Sequence, residues 1–350
     1  MLVKMSFDIG NGFVKAVSNN EEKVFIAPSS FAKKSALGQS SISDLFDKGT
    51  DQYNVFESSL DDGTEYIWGE KLREAISPNK LIHTYTHENR YNNKRFKLLC
   101  QFVLAELASQ YEEDTLEVVL VTGMPSAEIK TDLDAKLKEF LKKKHLVKRN
   151  GIEKVINVVD VRLLEQPLGT LLNKYLLDGK MHKNLTDNTI TVIDFGSGTT
   201  IIDTYKGMKR IDDQSRTIYQ GMNDIYKAVQ RKLSAKYSLK TLDQLQIEEG
   251  FRNGYVLKIS ERSQYPFEQE AKEAIVDTID QIVSEIDRIV AVRENIDEFV
   301  VTGGGANAVG EYFKDVFGEE SLDVVKDSQT ANVHGYDKFC SLLVNNMQSS

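Results

Sequence analysis

Proline is scarce here, five residues in a chain of 350, so proline-rich linkers between domains are absent. Cysteine is scarcer still. Cys100 and Cys340 each sit in an apolar, helix-like stretch and read as buried thiols rather than as a disulfide or a redox site. No Cys/His spacing of the zinc type occurs, and no run reaches the roughly 20 apolar residues of a membrane span. Met1-Leu2-Val3-Lys4 passes directly into a strand-like run, without the longer apolar stretch and cleavage site of a signal peptide. Asn345 to Ser350 is too short and polar for an amphipathic anchor. A soluble, cytoplasmic protein with no membrane partner is expected. An excess of positive charge is missing as well. The formal net charge of -9 argues against a broad electrostatic footprint on DNA, so direct DNA binding is not expected. One basic cluster, Lys142 to Lys144 with His145, Lys148 and Arg149, reads as the solvated end of a helix.

What is present is a chain long enough for two domains with their own cores, and a motif that occurs twice. Asp8-Ile9-Gly10-Asn11-Gly12 runs into Phe13-Val14-Lys15-Ala16-Val17. About half a chain later, Asp194-Phe195-Gly196-Ser197-Gly198-Thr199-Thr200 runs into Ile201-Ile202-Asp203. Each copy has an apolar run, an aspartate at its end, a tight turn and a second β-prone run. One such hairpin is an ordinary Asn-Gly or Ser-Gly turn. Two of them suggest a duplicated fold with phosphate-facing loops across a cleft.

Apolar spacing predicts the remaining elements. Leu2–Asp8 and Phe13–Ser18 pair as strands, with a third at Glu22–Ile26. Residues 28–78 are mixed and polar, with β-like pieces at Tyr53–Phe56 and Glu65–Trp68, and read as an inserted subdomain rather than core. Phe96, Leu99, Cys100, Val103, Leu104 and Leu107 keep helical spacing. Leu116–Thr122 and Val155–Val161 are buried strands. Ser126 is the expected N-cap of a helix holding Ile129, Leu133, Leu137, Phe140 and Leu141. Another helix starts near Gln166-Pro167. After a boundary loop at Thr186-Asp187-Asn188, Thr189–Asp194 and Thr199–Tyr205 form the second hairpin. Helices are expected at Met222–Leu233 and Leu242–Phe251, along the stripe from Ile275 to Val290, and at the end around Tyr336, Phe339, Cys340 and Leu343. Glu298–Thr302 is a strand. The alternation favours an α/β architecture with central mixed sheets.

The motifs carry definite chemistry. Successive N–H groups of a glycine turn converge on anionic oxygen. Gly10, Asn11 and Gly12 would hold terminal phosphates from one side, and Gly196, Ser197, Gly198 and Thr199 from the other. Asp8 and Asp194 end apolar strands, and buried carboxylates want a cation. Magnesium, which takes one or two carboxylates plus phosphate oxygens, fits. Lys15 shares the face of its strand and either counters phosphate charge or pairs with a carboxylate. Gly303-Gly304-Gly305, before Ala306 and Asn307, lets a flat base or an α-phosphate lie against backbone at a helix N-terminus. Glu165 and Gln166 end a strand where one of them can orient a water for attack on a γ-phosphate. Asp194 joins them as a catalytic candidate.

These elements in this order resemble the actin-like ATPase superfamily of actin, the seventy-kilodalton chaperones and sugar kinases. Its two phosphate motifs match Asp8 to Lys15 and Asp194 to Asp203. Its first connecting motif matches Glu165-Gln166-Pro167-Leu168-Gly169, and its adenosine motif Val300 to Ala306. The second connecting segment matches Ala331-Asn332-Val333-His334-Gly335-Tyr336. Thr122-Gly123-Met124-Pro125, that last segment, and Tyr219-Gln220-Gly221-Met222-Asn223-Asp224 look most like the ParM plasmid-segregation actins of Gram-positive bacteria. The resemblance implies a duplicated ribonuclease-H-like fold of two lobes around a nucleotide cleft. The first lobe would span residues 1–162, completed by 331–350, and the second 163–330, with a helical insert at about 215–270. It also implies an Mg²⁺- and ATP-dependent (alternatively GTP-dependent) ATPase that forms filaments and reaches a plasmid centromere through a DNA-binding adaptor of the ParR type. A sugar-type kinase, a chaperone ATPase and a cell-shape or division actin are alternatives on the same fold. No sugar-binding cluster, appended peptide-binding domain or terminal membrane helix speaks for any of them.

Overall fold

The structure, a computed structural model, describes residues 2–19, 23–37, 53–85, 90–240 and 242–348. It divides into two compact units, Met1–Met181 with Thr330–Ser350, and His182–Gln329.

In the first unit the strand Leu2–Ile9 is buried on both faces. Side chains alternate along a strand, and here the two sets enter different cores. Val3, Met5, Phe7 and Ile9 join Val118 and Leu120 in the main core. On the neighbouring strand, Val119 and Val121 pack instead with Tyr336 and Cys340 of the C-terminal helix Ala331–Gln348. The sheet runs Phe25–Pro28, Phe13–Ser18, Leu2–Ile9, Thr115–Met124, Ile152–Glu165. Its first three strands are antiparallel and the last two continue in parallel. The second unit repeats this order and these directions with Lys209–Ile218, Thr200–Lys206, Thr189–Phe195, Glu298–Thr302 and Leu322–Val324. The duplication inferred from two hairpins is thus a duplication of topology. Long-helix periodicity also holds: Glu268–Ile289 buries Ala271, Ile275, Ile279, Ile282 and Ile286 beneath the second sheet.

Several expectations are corrected. Residues 28–78 are not separate from the core. Ser30–Lys33, Asn54–Ser58 and Tyr66–Trp68 extend the first unit's sheet, joined through Lys144–Arg149. Phe31 and Phe56 pack on Phe102 with ring centroids 5.2 and 5.1 Å apart, and Trp68 packs on Phe56 at 5.8 Å. Residues 38–52 of this stretch, and Glu22 of the expected third strand, lie outside the described residues. Ser126 caps no long helix. It opens a short 3-10 turn, Lys130 takes φ 61°, and Thr131 caps Asp132–Leu141 by accepting from Leu133 N–H. The basic cluster is not a helix end alone: from Lys144 it is a strand, and His145 is buried within it. Thr186-Asp187-Asn188 is mostly the short helix Lys183–Asp187. Residues 163–181 fall in the first unit rather than the second, because the helix Gln166–Tyr175 packs against the C-terminal helix.

That helix pair shows why the chain needs glycine there. A Cβ on Gly335 would lie 1.7 Å from the Gly169 carbonyl oxygen, and one on Gly169 would lie 2.5 Å from the Tyr336 ring. Asn332 Oδ1 accepts from Thr170 N–H at 3.1 Å and Thr170 Oγ at 2.8 Å. It thereby ties the two helices together through both the amide and the hydroxyl of Thr170. Overpacking at such a site costs about 3 kcal/mol. Gly335→Ala is expected to lower the unfolding free energy measured in urea by that amount, and an unchanged midpoint would refute the close crossing.

His145 gives a pH expectation. Its Nε2 lies 3.0 Å from Leu141 O, which can only accept, so Nε2 carries the proton and Nδ1 accepts from Gln101 Nε2 at 3.1 Å. Gln101 Oε1 in turn accepts from the Ser58 hydroxyl. Burial holds the His145 pKa below its ordinary 6.5. Both states are neutral above that value. As pH falls through it, the unfolded chain binds a proton that the folded chain resists, so stability drops. Urea unfolding between pH 7.5 and 5 is expected to show this slope, weakened in His145→Gln. The His83 ring, also held low by burial, supplies the remainder.

Candidate functional site

In the first unit, Gly10 closes the turn between the hairpin strands. Its N–H donates to Phe13 O at 3.1 Å, and a Cβ there would meet that oxygen at 3.0 Å. Ser29 fastens the turn from behind, its hydroxyl donating to Gly10 O at 2.6 Å and its N–H to Gly12 O at 2.9 Å. Asp8 and Lys15 face each other across the antiparallel ladder, which puts them on one face of the sheet. Asp8 is 4% exposed. Its Oδ2 lies 3.1 Å from Lys15 Nζ, and its Oδ1 accepts from Gln166 Nε2 at 3.0 Å.

The cation that a buried Asp8 requires is therefore present in the chain itself. Of the two roles open to Lys15, carboxylate pairing is the one observed. Gln166 opens its helix at the end of the strand Ile152–Glu165, with Pro167 in the first turn. Its amide reaches Asp8, whereas adjacent Glu165 is not among the partners of Asp8.

In the second unit Gly196 closes the equivalent turn by donating to Thr199 O at 2.9 Å. The helix Met222–Tyr237 points its N-terminus at this turn: Met222 N–H donates to Gly196 O at 3.1 Å and Asn223 N–H to Ser197 O at 2.8 Å. Gly221 permits the approach, since a Cβ would sit 2.6 Å from Gly196 O. Asn223 Oδ1 accepts from the Ser197 hydroxyl at 3.2 Å and from Gln244 Nε2 at 2.9 Å. Gly198 and Thr199 are half-buried at the turn, and Asp194, 8% exposed, ends the strand before it.

The glycine triplet serves packing more than openness. Gly303 has φ 93°, and a Cβ would fall 2.4 Å from Asp194 Oδ1. One on Gly305 would fall 2.6 Å from both Met222 Cγ and Phe195 Cδ1. Only Gly304 has nothing within 4 Å of its Cβ position. Gly304 and Asn307 are exposed, so they are the two residues of this stretch with a face for a ligand.

Among the described residues, no group of three or more His, Cys, Asp or Glu is placed to hold a metal. Magnesium that arrives with a polyphosphate needs only one or two carboxylates, and each unit offers one at the end of a strand, Asp8 in the first and Asp194 in the second. Sequence reasoning did not pick out Ser29 or Gln244 for the site. Each acts from a segment distant in sequence, through a side chain of a common type.

The Asp8–Lys15 pair yields a direct test. Removing one member of a buried pair strands the other and costs about 3 kcal/mol. Lys15→Met is expected to destabilise by that amount in urea, and adding Asp8→Asn to recover most of it. Equal stability of Lys15→Met and parent would show the pair to be solvated.

Two family models match the chain: the N-terminal domain of actin like proteins over residues 6–169, and the C-terminal domain of the archaeal MreB-like actin homologue over residues 192–315. Among solved structures, apo pSK41 ParM is 32% identical, with a TM-score of 0.78 over 99% of this chain and 99% of that chain. The archaeal actin homologue Ta0583 in complex with ADP is 20% identical, with a TM-score of 0.74 over 99% of this chain and 100% of that one. ParM of the 15-stranded filament from Clostridium botulinum is 18% identical, with a TM-score of 0.78 over 97% and 99%. No curated protein matches. The latter two structures speak to the fold, which they share in full. The identity to pSK41 ParM extends along the whole chain, and this protein belongs to the actin-like ATPase superfamily, among the relatives of ParM.

Proposed function

We propose that this chain is a polymerising ATPase that segregates plasmid DNA. The observation that carries the reading is the repeated device: in both units a strand-end aspartate stands beside a glycine turn at the same place in the same five-strand order. Likeness to a ParM over 99% of both chains supports it, as do the ADP complex of Ta0583 and the filament of the Clostridium botulinum ParM.

In this reading the N–H groups of Gly10, Asn11 and Gly12, and of Gly196, Ser197, Gly198 and Thr199, receive phosphate oxygens. Lys15 adds positive charge at the first turn. Gly304 and Asn307 receive the nucleoside, with Gly303 and Gly305 shaping the approach. Magnesium neutralises phosphate charge when it enters with the nucleotide, and Asp8 and Asp194 are the carboxylates that would hold it through water. Gln166 is the residue that orients the attacking water, because its amide already belongs to the Asp8 network while Glu165 does not. ATP is the expected substrate and GTP the alternative.

A head-to-tail contact that does not close gives a filament. Assembly at micromolar concentration needs about 8 kcal/mol per added subunit, so a modest loss after hydrolysis suffices to disassemble it. The resemblance to ParM implies that contact with a plasmid centromere falls to a basic adaptor of the ParR type in the cytoplasm; the net charge of -9 alone does not.

Light scattering of the purified protein with Mg-ATP is expected to rise at micromolar concentration and to decay as nucleotide is spent. Gln166→Ala is expected to assemble normally but release phosphate about 100-fold more slowly, giving a signal that persists, while Glu165→Ala decays like the parent. Transfer of phosphate to a sugar without any rise in scattering would replace this reading with a kinase.

A further inference from the structure

Arg90 stands outside every role assigned so far. Its Nη2 donates to Ile9 O and its Nη1 to Asn11 Oδ1 at 3.3 Å, so one guanidinium grips the strand end before the first turn and the side chain at the turn's centre. Its plane lies over the Phe96 ring, 5.0 Å from the centroid. Among the described residues it forms no ion pair with a carboxylate, and its Nε is buried without a hydrogen-bond partner. Arg90 also lines one small cavity with Gln166, Thr122 and Gly123.

These facts do not describe a structural ion pair. Lys15 is paired with Asp8, and Arg90 brings a second positive charge to the same turn. The planar fork suits fixing two acceptors at once in a way that a lysine cannot. Held at Ile9 O and Asn11 Oδ1, the turn between them keeps one conformation, which is what convergent N–H donors need before an anion arrives.

We propose that Arg90 is the positioning residue of the first turn: it fixes Gly10–Gly12 for a polyphosphate and adds positive charge beside it. The proposal rests on the nucleotide reading above and adds to it a residue that lies in no glycine motif. Because Arg90 begins the segment that leads into the helix Lys94–Ala108, it also ties that helix to the state of the turn.

The test is calorimetry of the full chain with Mg-ATP and, separately, with adenosine. Arg90→Met is expected to bind Mg-ATP about tenfold more weakly, the share of one charge-assisted contact, with adenosine affinity unchanged. Arg90→Lys keeps the charge without the fork and is expected to fall between the two. Raising salt should weaken ATP binding more steeply in the parent than in Arg90→Met. Equal affinity of Arg90→Met and parent for Mg-ATP overturns the proposal. So does an equal fractional loss for ATP and adenosine, which would mark a purely structural residue. Should Arg90→Met fail to fold, Asn11→Ala removes one of its two contacts with the turn and leaves the charge, with a smaller expected loss for ATP alone, like that of Arg90→Lys, and the same overturning results. A parent that binds no Mg-ATP overturns the proposed function and this inference with it, whereas a parent that binds while Arg90→Met matches it overturns this inference alone.

Discussion

A carboxylate at the end of an apolar strand has to be neutralised where it stands, and the first unit is arranged around that requirement. Asp8 is buried because Leu2–Ile9 is a central strand, covered on both faces. The hairpin returns in antiparallel register, which sets Lys15 opposite Asp8. The parallel strand ending at Glu165 delivers Gln166 to its other oxygen. Three separate pieces of chain thus meet on one charge, and the turn they surround inherits their rigidity. Without the pair, an uncompensated charge would be left buried at the strand end.

The second constraint is close approach of backbones. Gly169 and Gly335 let two helices of the first unit touch. Gly221, Gly303 and Gly305 let a helix N-terminus and a strand end close around the second turn. At the second turn the missing Cβ groups bring backbone N–H groups within hydrogen-bonding distance of Phe195 O, Gly196 O and Ser197 O; at the helix crossing they bring the Asn332 side chain to Thr170. The glycines that a motif reading assigns to ligand contact are therefore in large part assembly residues, and the ligand-facing surface is narrower than the motif suggests.

Local pattern explains what was legible. Alternation and helical spacing placed the hairpins, the strand Glu298–Thr302 and the long stripe from Ile275, because each is written in adjacent residues. The break at Lys130 was hidden, since helical spacing continues through Ile129 and Leu133 although the backbone turns left-handed between them. Residues 28–78 read as peripheral because their polar content is high. Their few aromatics alternate inward, however, and Phe31, Phe56 and Trp68 reach the main core. Ser29, Asn332 and Arg90 had no local signature. Their roles come from partners 19, 162 and 81 positions away, and only the fold brings those partners together.

Duplication of topology did not carry with it duplication of chemistry. The position across the ladder from Asp8 is Lys15, while that across from Asp194 is Ile201. The first turn is buttressed by ammonium and guanidinium groups. The second is buttressed by helix N–H groups and by the neutral amides of Asn223 and Gln244. Full charges act over longer distances but are screened by salt. Backbone dipoles act only within the first helical turn, and they do so with fixed direction. On the proposed function, an anion would meet attraction at the first turn and fixed geometry at the second, so the two copies of the hairpin would divide those tasks while the repeat stays recognisable in its glycines and aspartates.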